Sequence, residues 1–179
     1  MIGKGFIFRI ITLVSASVLT FAVAHAQPKA IGTAFSFTGF GISYEHELKS
    51  YVLEIALKSE MSEMFLYKVE RPGVSASVSW NFHVREWMSV NGNEICLFAG
   101  PGLALGYACD LNRPYGILCG LKGRVGVECS FSRNIVISAS VSPLIGAFLQ
   151  YDSKYLTMKP YWNGLTYNLI PEIGIKYGF

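Results

Sequence analysis

Residues Val74 to Arg85 alternate without a break. Val74, Ala76, Val78, Trp80, Phe82 and Val84 take the even positions; Ser75, Ser77, Ser79, Asn81, His83 and Arg85 take the odd ones. Successive side chains of a strand point to opposite faces, so this stretch predicts one apolar and one polar face. Its twelve residues exceed the roughly 5–6 of a typical strand and suit a tilted membrane strand of about 9–11. A long strand of a soluble sandwich would show the same local pattern, so the rest of the chain has to decide.

The alternation recurs along the chain. Ile31–Phe37 and Phe40–Leu48 flank a turn at Thr38-Gly39, and the apolar parity flips from odd to even across it. Tyr51–Lys58 follows a short turn at Lys49-Ser50. Beyond a long loop, 59–73, comes the opening stretch, then a turn at Val90–Asn93 carrying an Asn-Gly hairpin signal. Ile95–Tyr107, Ile117–Phe131 and Ile135–Leu149 continue the pattern, a second long loop spans 150–166, and Tyr167–Phe179 ends the chain. That makes eight strands. The connections at 49–50, 88–94 and 132–134 are short, whereas 59–73 and 150–166 are long. Short turns at one end and longer loops at the other are the outer-membrane pattern, with the short turns periplasmic. The expected fold is all-β: an eight-stranded antiparallel up-and-down transmembrane β-barrel.

Composition sharpens this. Lys4 and Arg9 precede an apolar run from Phe6 to Val23, and Ala24-His25-Ala26 fits a small-x-small cleavage site. Residues 1–26 therefore read as a secretory signal peptide, leaving 27–179 as the barrel domain. Without Lys4 and Arg9 the 15 basic residues become 13, against 12 acidic; no basic patch points to nucleic acid. Apolar residues make up 51% of the chain, yet after residue 26 no run of about 18 apolar residues could form a membrane helix.

The chain ends with Ile173, Ile175, Tyr177 and Phe179 on alternate positions. Ile175, Tyr177 and Phe179 resemble the C-terminal signal by which outer-membrane proteins are recognised for assembly. The layout from Ile31 to Phe179 resembles the small eight-stranded outer-membrane barrels, and the ending PEIGIKYGF is similar to that of barrels of Bacteroidetes-type bacteria. The resemblance implies outer-membrane lipid and the barrel assembly machinery as partners, and no cofactor. It does not imply an activity, because such folds host unrelated functions.

An eight-stranded barrel is just wide enough inside for side chains or one small ligand. The residues of inward parity include Glu45, Glu47, Glu54, Glu128 and Glu172, and against them His83, Lys58, Arg85, Lys122, Arg124 and Lys176. Buried charges need partners. An ion-pair network of Glu45, Glu54, Arg85, Lys122, Arg124, Glu128, Glu172 and Lys176 that plugs the lumen is the expectation; a proton or ion path is the alternative. Farther from the periplasmic turns the inward residues are apolar: Ala104, Leu118, Leu144, Gly146, Phe148 and Ile170. Pro101, Pro143 and Pro171 lie near the boundary, each about eight residues from the periplasmic end of its strand, where proline is normally excluded. Local bulges would accommodate them. A lateral opening onto an apolar upper pocket, admitting a lipid or acyl chain, would also do so, and resembles the proline-flanked side openings of the lipid A palmitoyltransferase barrel.

No catalytic site is expected. His46 and His83 lie near the periplasmic end, where neither can meet a Ser and an acid at the outer rim. No metal-ligand spacing and no phosphate loop stand out. Cys109 and Cys119 flank one turn with shared parity and are candidates for a disulfide, which an exported chain permits. The two long loops, 59–73 and the aromatic-rich 150–166, are the candidate contact surface for a partner. The expected function is a non-catalytic outer-membrane barrel with a structural or loop-mediated surface role; the alternative is binding or lateral passage of a small apolar molecule.

Overall fold

The computed structural model describes residues 29–61, 72–89, 93–110, 113–132, 134–152 and 155–179. The expected signal peptide and most of loop 59–73 lie outside the described residues. Among the described residues ten strands occur: β1 (Lys29–Ser36), β2 (Gly39–Leu48), β3 (Tyr51–Glu60), β4 (Gly73–Met88), β5 (Glu94–Asp110), β6 (Arg113–Ser130), β7 (Ile135–Val141), β8 (Leu144–Asp152), β9 (Tyr155–Pro160) and β10 (Glu172–Gly178). A four-residue helix, α1 (Asn163–Thr166), separates β9 from β10.

All neighbouring strands are antiparallel, in the order β5-β4-β3-β2-β1-β10-β7-β6-β8-β9, and β5 pairs with β6 to close the sheet. The ten segments build eight staves. β7 and β8 share one register on β6, with Val125 opposite Val141 and Lys122 opposite Leu144, so they are two halves of one stave. Pro143, which has no N–H to give, makes the break. The gap is small, because Gly123 N still donates to Pro143 O at 2.8 Å. β9 lies on β8 and β10 on β7, so these two form the last stave. Pro171 immediately precedes β10, after the chain has left the wall. Pro101 does not end its strand: it sits within β5 opposite Gly123, but the β4–β5 pairing passes from Ser79–Gly102 to Phe82–Ala99 and skips Trp80 and Asn81 beside it.

The last strand, expected from Tyr167, begins only at Glu172, and the segment before it differs from expectation too. Residues 150–166 are not a loop: β8 runs to Asp152, β9 begins at Tyr155, and α1 follows. β9 is exposed along nearly its whole length on both faces. With neither face buried, no alternation of apolar and polar residues marks it as a strand.

The outer wall is apolar. Leu121 is 67% exposed and Ile145 65%, with Leu103, Leu105, Ile173 and Ile175 similarly uncovered. A water-soluble protein with so continuous a patch would associate or aggregate. Facing lipid, the same band is what a spanning barrel requires. Trp87, Tyr155, Trp162, Tyr177 and Phe179 are exposed as well, aromatics of the kind that form interfacial girdles.

Inside, packing is close enough to dictate glycine. A Cβ on Gly126 would stand 2.7 Å from Phe98 Cζ and 2.6 Å from Ala139 O. Gly126→Val should therefore destabilise the barrel by about 1–3 kcal/mol. Gly123→Ala, whose Cβ would meet nothing nearer than Pro143 Cγ at 3.6 Å, should change stability little. Urea unfolding of the refolded barrel in detergent, followed by Trp fluorescence, compares the two.

The lumen as candidate functional site

Glu45 on β2, Glu54 on β3, Arg124 on β6 and Lys176 on β10 all project inward and are buried. Their alternation places them there, since each shares a face with small inward residues of the same strand. Lys176 Nζ lies 2.5 Å from Glu45 Oε1 and 2.6 Å from Glu128 Oε1. Arg124 pairs with Glu54, and its guanidinium also reaches Glu45 at 3.8 Å. Asn81 Nδ2 donates to Glu54 at 3.1 Å. Phe98, 1% exposed, packs beneath: Arg124 lies 5.1 Å and Lys176 5.6 Å from its ring centre, close enough for both cations to interact with the π face. Higher up, Lys58 pairs with Glu172 and donates to Thr38 Oγ1 at 3.2 Å, tying the β1–β2 turn to the start of β10. Lys122 Nζ donates to Ser77 Oγ at 3.0 Å. A cavity of about 50 Å³, bordered by Lys58, Lys122, Ser77, Ser142, Asn168 and Glu172, has room for a few water molecules.

Above the charges the inward side chains pack together. Leu118, Leu144, Phe148, Ala108 and Tyr161 form one buried cluster, with Ala104 against it. Tyr161 stacks on Phe148, ring centres 6.1 Å apart. Four residues assigned to the upper pocket, Ala104, Leu118, Leu144 and Phe148, are thus brought together, and Tyr161 occupies the space between them. Gly146 and Ile170 are not members of the cluster; a Cβ on Gly146 would strike Cys119 O at 2.2 Å.

The segment that supplies Tyr161 is pinned from across the lumen. Asp110, fully buried at the end of β5, accepts hydrogen bonds from the backbone N–H groups of Trp162 and Asn163, both at 3.0 Å. Asn163 Nδ2 donates to Cys109 O at 3.1 Å. A carboxylate receiving two N–H groups at the start of α1 does the work of a helix cap from a distant strand. Asn163 lies in the stretch expected to be the long loop 150–166, and no expectation linked it to Asp110. The available clue was the loss of alternation at Tyr161-Trp162-Asn163-Gly164.

Two site expectations need correction. Arg85 is not in the lumen network: it is exposed and lies opposite Leu97, an outward residue of β5. A bulge between His83 and Arg85 shifts the register, and one extra residue reverses the faces of all that follow. Cys109 and Cys119 do not face each other. Cys119 lies opposite Leu105, and Cys109 sits in a bulge between Ala108 and Asp110. Four residues along a strand is about 13 Å, well beyond the roughly 4.4–6.8 Å that a disulfide spans between Cα atoms. All four cysteines are thiols.

No family model and no curated protein sequence matches the chain. Solved structures do. The N-terminal β-barrel domain of Pseudomonas aeruginosa OprF matches with a TM-score of 0.52 at 13% identity, over 85% of this chain and 96% of that one. With the apolar outer wall, this makes the fold that of a bacterial outer-membrane β-barrel. A major outer membrane protein of Thermus thermophilus (TM-score 0.47, 11% identity, 87% of this chain and 100% of that one) and Neisserial surface protein A (TM-score 0.36, 16% identity, 84% and 90%) are less similar.

The charges differ in how much depends on them. Arg124→Met leaves Glu54 buried without its cation and should cost about 3–5 kcal/mol. Lys122→Met removes one hydrogen bond to a neutral hydroxyl and should shift stability by no more than about 1 kcal/mol. Urea midpoints of the two variants in the same detergent check the order.

Proposed function

We propose that the chain is a non-catalytic outer-membrane protein whose lumen is plugged, and which acts as a wall component presenting its outer edge at the cell surface. The observation that supports this is the pair of side-chain layers in the lumen: ion pairs over Phe98 and, above them, the apolar cluster that includes Tyr161. Paired charges with an aromatic between them offer no continuous water column. The upper half, expected to be an apolar pocket, is occupied by the protein's own side chains, which argues against uptake of a lipid or acyl chain there.

Residues 1–26 serve in this reading as the export signal, and the mature chain begins at Gln27. Ile175, Tyr177 and Phe179, all on the outer, lipid side of β10, serve as the contact for the assembly machinery. The ending PEIGIKYGF supports placement among Bacteroidetes-type barrels. The β8–β9 hairpin, with Tyr155, Leu156 and Met158 highly exposed, and the connection between β3 and β4 form the surface available to a partner.

In planar lipid bilayers the folded protein should give no resolved current steps. Steady single-channel currents would refute the plug. Thr157→Cys in the β9 strand should be labelled on intact cells by a membrane-impermeant maleimide above the wild-type level, whereas Ser50→Cys in the opposite turn should not; the reverse result would invert the orientation.

A further inference from the structure

We propose that His83, Glu86 and Cys96 form a binding site for a borderline-soft divalent transition ion, of which Zn²⁺ is the representative, at the periplasmic mouth of the lumen. In a regular strand, residues three apart point to opposite faces. The bulge after His83 cancels that: His83 lies opposite Phe98, and Glu86 lies opposite Cys96, so both occupy the lumen face. One donor atom from each of the three residues lies within 4.8 Å of the other two. His83 Nδ1 is already 3.1 Å from Glu86 Oε1.

The donor set is chemically apt. Imidazole nitrogen, thiolate sulfur and carboxylate oxygen are the three protein donors of zinc, and three protein ligands leave a fourth tetrahedral position for water. With bonds of about 2.0–2.3 Å, ligand atoms on one tetrahedral ion sit roughly 3.3–3.8 Å apart, so small rotations of these partly exposed side chains complete the site. Glu128, opposite Cys96 on β6, adds negative charge beside it. The neighbouring cation, Lys176, is held between Glu128 and Glu45, so it is neutralised rather than repelling a metal. Cross-strand pairing of Glu86 with Cys96 brings a third donor, the thiol, within reach of the His83–Glu86 pair. Bulges re-aim side chains next to functional sites, and this one assembles three ligands from two strands.

The test uses the full mature chain, refolded without a polyhistidine tag, reduced, and titrated with Co²⁺ as a spectroscopic stand-in for Zn²⁺. One equivalent should produce a thiolate-to-cobalt charge-transfer band in the near ultraviolet, and Zn²⁺ should displace it. Cys96→Ser should abolish the band, while Cys119→Ser and Cys129→Ser should retain it. His83→Ala and Glu86→Gln should each weaken Zn²⁺ affinity about ten-fold or more. Each variant is first shown to be folded by the shift in gel mobility between unheated and boiled samples; if Cys96→Ser does not fold, His83→Ala carries the comparison. Absence of the band in the wild type, or a band that survives in folded Cys96→Ser, would overturn the site.

Discussion

Lipid offers the backbone no hydrogen bonds, so every strand of a spanning sheet needs a partner on both sides and the sheet must close. Closure divides each strand into a face toward lipid and a face toward the lumen, with a strict period of two. Leu103 and Leu105 can be bare only because their neighbours Gly102, Ala104 and Gly106 turn inward. The same constraint puts Glu45, Glu54, Arg124 and Lys176 into a space too narrow to hydrate them well. Their mutual pairing is therefore a condition of closure and not an added stabiliser.

The lumen solves the problem in two ways at two heights. Nearer the short turns, charge is met by charge and by the face of Phe98. Toward the opposite end, the chain folds inward, and Tyr161 packs with Phe148 and Leu144. The inward fold interrupts the last stave between Pro160 and Glu172, and Asp110 compensates by capping the displaced backbone. A buried carboxylate at the end of one strand and a short helix far along the chain thus form one structural unit.

Most of this architecture was legible because period two is easy to see where one face meets lipid. The eight staves, the short turns, the apolar exterior and most of the inward charges follow from parity alone. What escaped lies where parity fails. Nothing in His83-Val84-Arg85 announces an extra residue, since each of the three is compatible with either face at the polar mouth of a barrel. The bulge therefore carried Arg85 outward and Glu86 inward unseen, and with that the grouping of His83, Glu86 and Cys96. Cys109 was misplaced because the hairpin pairs Asp110 with Arg113 and not about Pro114, which puts Leu105 opposite Cys119. β9 was hidden because both its faces are exposed, so burial wrote no pattern into it. Long-range capping by Asp110 has no local signature at all.

The seam where the first stave meets the last has its own consequence. β1 joins β10 through six residue pairs, from Ala30–Gly178 to Phe35–Ile173, and β9 pairs only with β8. Closure of the ring thus rests on β10, the C-terminal half of the last stave, finished by the reciprocal bonds between Lys29 and Phe179. That seam joins the parts of the barrel synthesised first and last. It is the zip of the barrel: without the pairing of β1 with β10 the chain is a curled sheet, and with it a ring.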